Sequence, residues 1–427
     1  MRMIIIRLMI RIENASYSHK LKERAKEMKC ATKLCALVAM ATIIASGQAI
    51  AADPPSPDEM WDIIQQQQEE IAALKGAVAN TTEAVEATAQ AIEDGTSDSY
   101  GWWNKTSLGG YGEMHLEMGD KDEIDFHRFV LFVGHEMSDQ IRLFTEFELE
   151  HSLAGEGKPG EVELEQAYIE YDLTPNHHAV AGLWLMPIGI MNDTHEPPTF
   201  YGVERNNVEK NIIPTTWWEC GFGARGNLEN GVGYDVGAHS GLSTPITGGN
   251  AFKIRNGRQK CAEATAKDFA YSGRLTYTAI PGLELALSGQ FQNDLTQGQA
   301  PTDATLIAPH MIYSKGGFGF RALYARWDLD STGASAVGRD EQSGWYVEPS
   351  YRFELPHNRG DLGLFARYAT FDNEAGDSTD SETQEINLGV NFWPHEEVVL
   401  KADLLLQDTP DGTDADDRVN VGVGFQF

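Results

Sequence analysis

Basic residues are scarce in this chain. Lys and Arg number 33 against 64 Asp and Glu, a formal charge of −31, and a field of that sign excludes a nucleic-acid binder. Cysteine is scarcer still, at four, and no C-x-x-C or Cys/His spacing of a metal centre occurs, so neither metal nor cofactor is expected. Long apolar runs are also missing. The one that stands out, Leu34 to Ala45, is too short to cross a bilayer as a helix, and nothing later approaches that length. A helical membrane protein is thereby excluded. What remains is an acidic chain that must bury apolar surface in short pieces.

The apolar run has a specific context. Met28-Lys29 precede it, and Ser46-Gly47 with Ala49-Ile50-Ala51 follow it. A basic stretch, an apolar stretch and a small-residue site in that order form a secretory signal, with cleavage expected after Ala51. Met28 already opens a complete signal, so residues 1–27 read as an upstream extension. Removal of residues 1–51 leaves 24 basic and 61 acidic residues. Cys30 and Cys35 leave with it. Whether Cys220 and Cys261 pair in an oxidising compartment is open from sequence alone.

Residues 52–99 change character. Ile64, Ile71, Val78, Val85 and Ile92 recur every seven residues, while Gln67, Leu74, Thr81 and Thr88 occupy the positions three later. This is a β-branched heptad seam with a half-polar second side, expected to hold only within an oligomer and compatible with a trimer. The alternative is a helix-prone periplasmic linker.

From Tyr100 the period becomes two. Sixteen segments of about ten residues alternate apolar and polar, the pattern of an all-β, sixteen-stranded antiparallel transmembrane barrel over residues 100–427. They begin near Leu108, Phe126, Ile141, Val162, Ala179, Thr215, Val232, Phe269, Glu284, Thr305, Phe318, Gly344, Leu362, Thr383, Val398 and Arg418. Tight junctions such as Ser138-Asp139, Pro281-Gly282 and Pro394-His395 alternate with mostly longer ones. An even strand number puts both barrel ends on one side. That side is the periplasm if the coil lies there, and the short turns then face it. The last strand sets Val419, Val421, Val423, Phe425 and Phe427 on one face; in a soluble protein this stripe would be an exposed edge.

With the apolar face toward lipid, the other face points inward. In the third segment Ile141, Leu143, Phe147 and Leu149 alternate with Arg142, Glu146, Glu148 and Glu150. The same parity sends Arg128, Glu170, Arg225, Arg274, Arg321, Arg352, Arg367, Lys401 and Asp403 inward. Such charges either set a transverse field across a wet channel or pair off to satisfy one another, and for any single pair the second reading is the stronger. The junction from Pro187 to Pro214 is too apolar for an exposed loop. Folded against the inner wall, it would bring Glu196, Glu204, Arg205 and Lys210 to a constriction.

Gly110-Tyr111-Gly112-Glu113, Asp125-Phe126-His127-Arg128-Phe129, the Pro187–Pro214 stretch with Trp217-Trp218-Glu219, and the terminal Phe427 resemble the phosphate-selective porin O and P family. The resemblance covers most of residues 105–427 and is most specific in the third loop. It implies a sixteen-stranded trimeric outer-membrane porin with an inward-folded third loop, passing small hydrophilic solutes or ions. The family's named members select anions through arginines and lysines at the constriction. Here the fifth external loop, Thr296 to Ala304, lacks Lys and Arg. That departure and the acidic excess predict a weak cation preference that fades as salt rises. A barrel serving as a sheath for a partner protein is the other non-enzyme reading. Catalysis has no support: His151-Ser152, His177-His178 and His195-Glu196 assemble no nucleophile, base and orienting group.

Overall fold

The computed structural model describes residues 102–410 and 413–427. The expected signal, the upstream extension and the heptad segment lie outside the described residues. The sixteen strands are β1 (Thr106–Met118), β2 (Asp122–Ser138), β3 (Ile141–Glu150), β4 (Val162–Thr174), β5 (His177–Leu185), β6 (Trp218–Asn227), β7 (Val232–His239) and β8 (Ala270–Tyr277). They continue with β9 (Leu283–Gln292), β10 (Asp303–Lys315), β11 (Phe318–Asp330), β12 (Glu341–Glu354), β13 (Asp361–Asp372), β14 (Thr383–His395), β15 (Val398–Asp408) and β16 (Arg418–Gln426). Each pairs antiparallel with its sequence neighbour, and β1 closes on β16 with Tyr111 opposite Gln426. Closure leaves no free edge, which is what allows strands to sit in a bilayer.

The alternation predicts the facing well. Phe222 and Leu108 are 73% and 70% exposed, and Ile124, Leu275, Leu287 and Leu364 are likewise open. Their partners in parity turn inward. Exposed aromatic side chains collect near the strand ends: Tyr171, Tyr277, Phe318, Tyr351 and Phe353 at the short-turn rim, and Phe126, Tyr271, Phe291 and Trp345 toward the long-loop rim. Apolar side chains between two aromatic bands are the outer surface that a membrane requires. The tight turns depend on glycine where the backbone doubles back. Gly282 has φ +81°, and a Cβ there would lie 2.2 Å from the Ser314 carbonyl oxygen.

Several boundaries differ from expectation, and β2 and β12 begin earlier, at Asp122 rather than near Phe126 and at Glu341 rather than near Gly344. β6 starts at Trp218 rather than near Thr215, because the residues before it belong to the loop: Trp217 N–H donates to Asn192 Oδ1 at 2.7 Å. Pro394-His395 is not a turn. β14 runs through it to His395 and the turn falls at residues 396–397, with the ladder irregular between Phe392 and His395, a place where a strand tolerates proline.

Register shifts at the short-turn ends of β2–β3, β4–β5 and β14–β15 lie beside the turns, whereas two bulges further along the strands break the parity. Between Glu113 and His115 of β1, β2 inserts one extra residue, since Glu113 opposes Arg128 but His115 opposes Asp125. Between Glu146 and Phe147 of β3, β4 does the same, with Gln166 and then Leu164 as partners. Each bulge sets two consecutive side chains inward, His127 with Arg128 and Glu165 with Gln166.

Candidate functional site

The loop joining β5 to β6, Met186 to Trp217, lies inside the barrel. Its apolar residues Met186, Ile188, Ile190, Val208, Ile212, Ile213 and Trp217 share one core with Leu306, Leu323, Trp327 and Tyr346 of the wall. An irregular segment cannot pair its own backbone, so the wall must do it. Along residues 198–203 it does so almost atom by atom. Trp393 Nε1 donates to the Pro198 carbonyl (3.2 Å), Arg321 to Thr199 (2.8 Å) and Asn391 to Phe200 (3.2 Å). Arg367 then donates to the Tyr201 carbonyl and Lys401 to that of Gly202, both at 2.8 Å, and Val203 N–H donates to Asp403 at 2.6 Å. The loop also touches β16 where side chains are absent: a Cβ on Gly424 would meet Pro197 Cβ at 2.3 Å.

A short helix, α1 (Asn207–Asn211), locks the second half. Asn206 Oδ1 caps it by accepting from Glu209 N–H at 2.9 Å. The buried Glu209 carboxylate accepts from Ile190 N–H (2.8 Å), Met191 N–H (2.7 Å) and the Tyr346 hydroxyl (2.8 Å). Burial pushes its carboxyl above the ordinary range, against the pull of those donors. Trp327 Nε1 donates to the Ile212 carbonyl at 2.9 Å.

The inward charges divide into two groups. Most are paired: Arg128 with Glu113 (2.6 Å), Arg142 with Glu170 (2.7 Å), Arg225 with Glu170, Arg274 with Asp193 (2.6 Å), and Arg367 with Glu348. For these, mutual satisfaction is the role their geometry shows. Arg128, Glu146, Glu148 and Arg367 point inward as parity predicts, yet they are buried rather than open to water. Arg321 and Arg367 act on the loop backbone. Glu196 and Glu146 border a cavity of about 600 Å³ together with Arg225, Arg274 and Asp235.

The second group has no carboxylate partner among the described residues. Arg205 donates to the Thr216 hydroxyl, Arg258 to the Thr216 carbonyl and Arg255 to the carbonyls of Lys210 and Thr215. Four cationic side chains, Arg205, Lys210, Arg255 and Arg258, thus gather on the inner loop and the β7–β8 loop. Burial, followed by the neighbouring Arg258 and Arg205, lowers Arg255 to about 9. Glu148, Glu150, Glu163 and Glu165 of β3 and β4 lie within electrostatic range of this cluster. Arg255 and Arg258 escaped sequence reasoning because their loop has no period; the basic run from Lys253 to Lys260 was the available signal. Cys220 and Cys261 form a disulfide with Cα atoms 5.6 Å apart, tying that loop to β6.

A closed barrel of sixteen strands with its third loop folded inside is a porin architecture. The family model for phosphate-selective porin O and P matches residues 109–427. The chain belongs to that family. An uncharacterized protein of Aquifex aeolicus (strain VF5) is 30% identical over 353 residues, 73% of this chain and 77% of that protein. Among solved structures, the anion-selective porin from Comamonas acidovorans aligns with a TM-score of 0.54 and 12% identity, over 75% of this chain and 99% of that one. OmpF of Salmonella typhi in complex with daunomycin aligns at 0.52 and 15%, over 75% and 97%. Vibrio cholerae OmpT in its trimer form aligns at 0.50 and 11%, over 75% and 98%. These likenesses place the fold. The porin is an outer-membrane channel protein, and its barrel is the part that crosses the membrane.

Proposed function

We propose that this porin gives passive diffusion to small hydrophilic solutes through a lumen narrowed by the third loop, as one unit of a homotrimer. The run of bonds from wall side chains to the carbonyls of Pro198–Gly202 carries the reading, because it fixes the loop against β11 and β13–β15. The loop therefore takes up one side of the lumen. The cavity bordered by Glu196, Arg225 and Arg274 supports a passage on the other. A lumen so filled leaves little space for a partner protein, which disfavours a sheath. The trimer form of OmpT supports the assembly. Deletion of residues 194–205 should raise single-channel conductance in planar bilayers while the barrel still folds. An unchanged conductance refutes the constriction.

A second reading concerns ion preference. Net charge favours cations, but external-loop charge is screened within about 10 Å at 0.1 M salt. Arg205, Lys210, Arg255 and Arg258, without a carboxylate partner among the described residues, act at the loop itself, where water is sparse and screening weaker. They favour small anions at the constriction. The reversal potential under a salt gradient decides: an anion-side value that moves toward cations in R205Q/R258Q supports the cluster, and a cation-side value in the wild type refutes it.

A further inference from the structure

Beneath the third loop, the bulge in β4 turns Glu165 into the barrel beside Glu146 of β3 and His195 of the loop. All three are 1–2% exposed. His195 Nε2 lies 3.5 Å from Glu146 Oε1 and 3.5 Å from Glu165 Oε2. None of these three atoms has a hydrogen-bond partner. A charge-assisted hydrogen bond closes to about 2.7–2.9 Å, so these contacts are longer than that bond makes them.

The spacing suits something larger. Zinc holds N and O ligands at about 2.0–2.2 Å in tetrahedral array, which sets ligand atoms roughly 3.4 Å apart. We propose that Glu146, Glu165 and His195 bind one divalent transition-metal ion of the zinc class, clamping the start of the third loop to the wall. The atoms behind the ligands are arranged for it. His195 Nδ1 faces the Asn192 carbonyl at 3.2 Å, and since a carbonyl only accepts, that nitrogen carries the proton. In the neutral ring Nε2 then holds the lone pair. Gln166, the other bulge residue, donates to Glu146 Oε2 at 2.6 Å and orients the carboxylate. Two carboxylates and a dication balance in charge. Glu146 and His195 also border the cavity of about 600 Å³, which supplies an entry path and a water for the fourth position.

Three other clusters of His and carboxylate groups occur among the described residues, but all their members except His115 are only partly buried, and they are already bonded to one another or to arginine, as in His115 with Glu204, His151 with Asp125, and Asp172 with Arg142 and His178. The test must therefore be a difference. Folded porin in detergent is stripped with EDTA, equilibrated with Zn²⁺, dialysed and assayed for zinc. Wild type should hold one ion per chain more than H195Q and E165Q, with Co²⁺ giving a visible absorption in wild type alone. Gel mobility before and after heating checks that each variant is folded. Should the ligand variants misfold, Q166A retains all three ligands and should bind zinc about 10–100-fold more weakly. Equal zinc in folded wild type and variants, or an affinity unchanged in Q166A, overturns the proposal. Conductance plays no part in the readout, so failure of the metal site and failure of the constriction are separately visible.

Discussion

Replacing Glu209 by Leu probes what holds the third loop. The carboxylate accepts from two loop N–H groups and the Tyr346 hydroxyl, and all three donors are buried with it. Leucine fills a similar volume but leaves the donors unpaired, at about 1–3 kcal/mol each, or about 3–9 kcal/mol together. Burial of Val208, Ile212 and Ile213 against the wall opposes release by about 1.5–3 kcal/mol apiece. The two sums are comparable, so the segment should fluctuate between docked and displaced while the strand ladders, which Glu209 does not join, stay intact. Single-channel recording should show higher mean conductance with excess open-channel noise in E209L. E209Q keeps an acceptor and should stay near wild type. Heat-modifiable gel mobility should be normal in both. If E209L conducts as quietly as wild type, the carboxylate is not what fixes the loop and the reasoning fails.

Other outcomes follow from single contacts. Reducing the Cys220–Cys261 bond, which spans 41 residues, should remove about 4 kcal/mol of loop-closure stabilisation; limited proteolysis should then cut within residues 240–269 faster, with the barrel fragment intact, and equal rates with and without reductant would refute this. Glu204 contacts His115 Nδ1 at 2.5 Å; although burial alone would raise its carboxyl, bonding to His115 and the nearby positive charges hold it well below the usual range. Its stabilisation is thus present above about pH 4.3 and is lost only as pH falls through the depressed value. Channel noise should therefore be flat from neutral pH down to about 4 and rise below it, and E204Q should show no such rise. G424V should push Pro197 off β16 and raise conductance; a wild-type value would show that the loop does not rest there.

Much of this porin is legible along the chain because a barrel wall is a local object. Side chains of a strand alternate across a surface with lipid on one side, so apolar and polar residues must alternate too. That rule places Ile141, Leu143 and Phe147 outward and Arg142, Glu146 and Glu148 inward without any knowledge of neighbours. It also marks Pro187–Pro214 as wrong for an exposed loop, since Ile188, Ile190, Ile212 and Ile213 would face water. The rule fails where geometry is set between strands. A bulge is a mismatch of two registers, so neither Glu165 nor the shared facing of His127 and Arg128 is written in one strand's period. Charge partners are non-local for the same reason. Arg367 and Lys401 read only as inward charges in need of partners until the carbonyls of Tyr201 and Gly202 arrive from 166 and 199 residues away. Arg205, Arg255 and Arg258 converge only once the third loop and the β7–β8 loop fold onto Thr215 and Thr216. Composition determined the class of surface; closure of the barrel decided which of the described charges pair with a carboxylate and which bond only to the loop backbone or a hydroxyl.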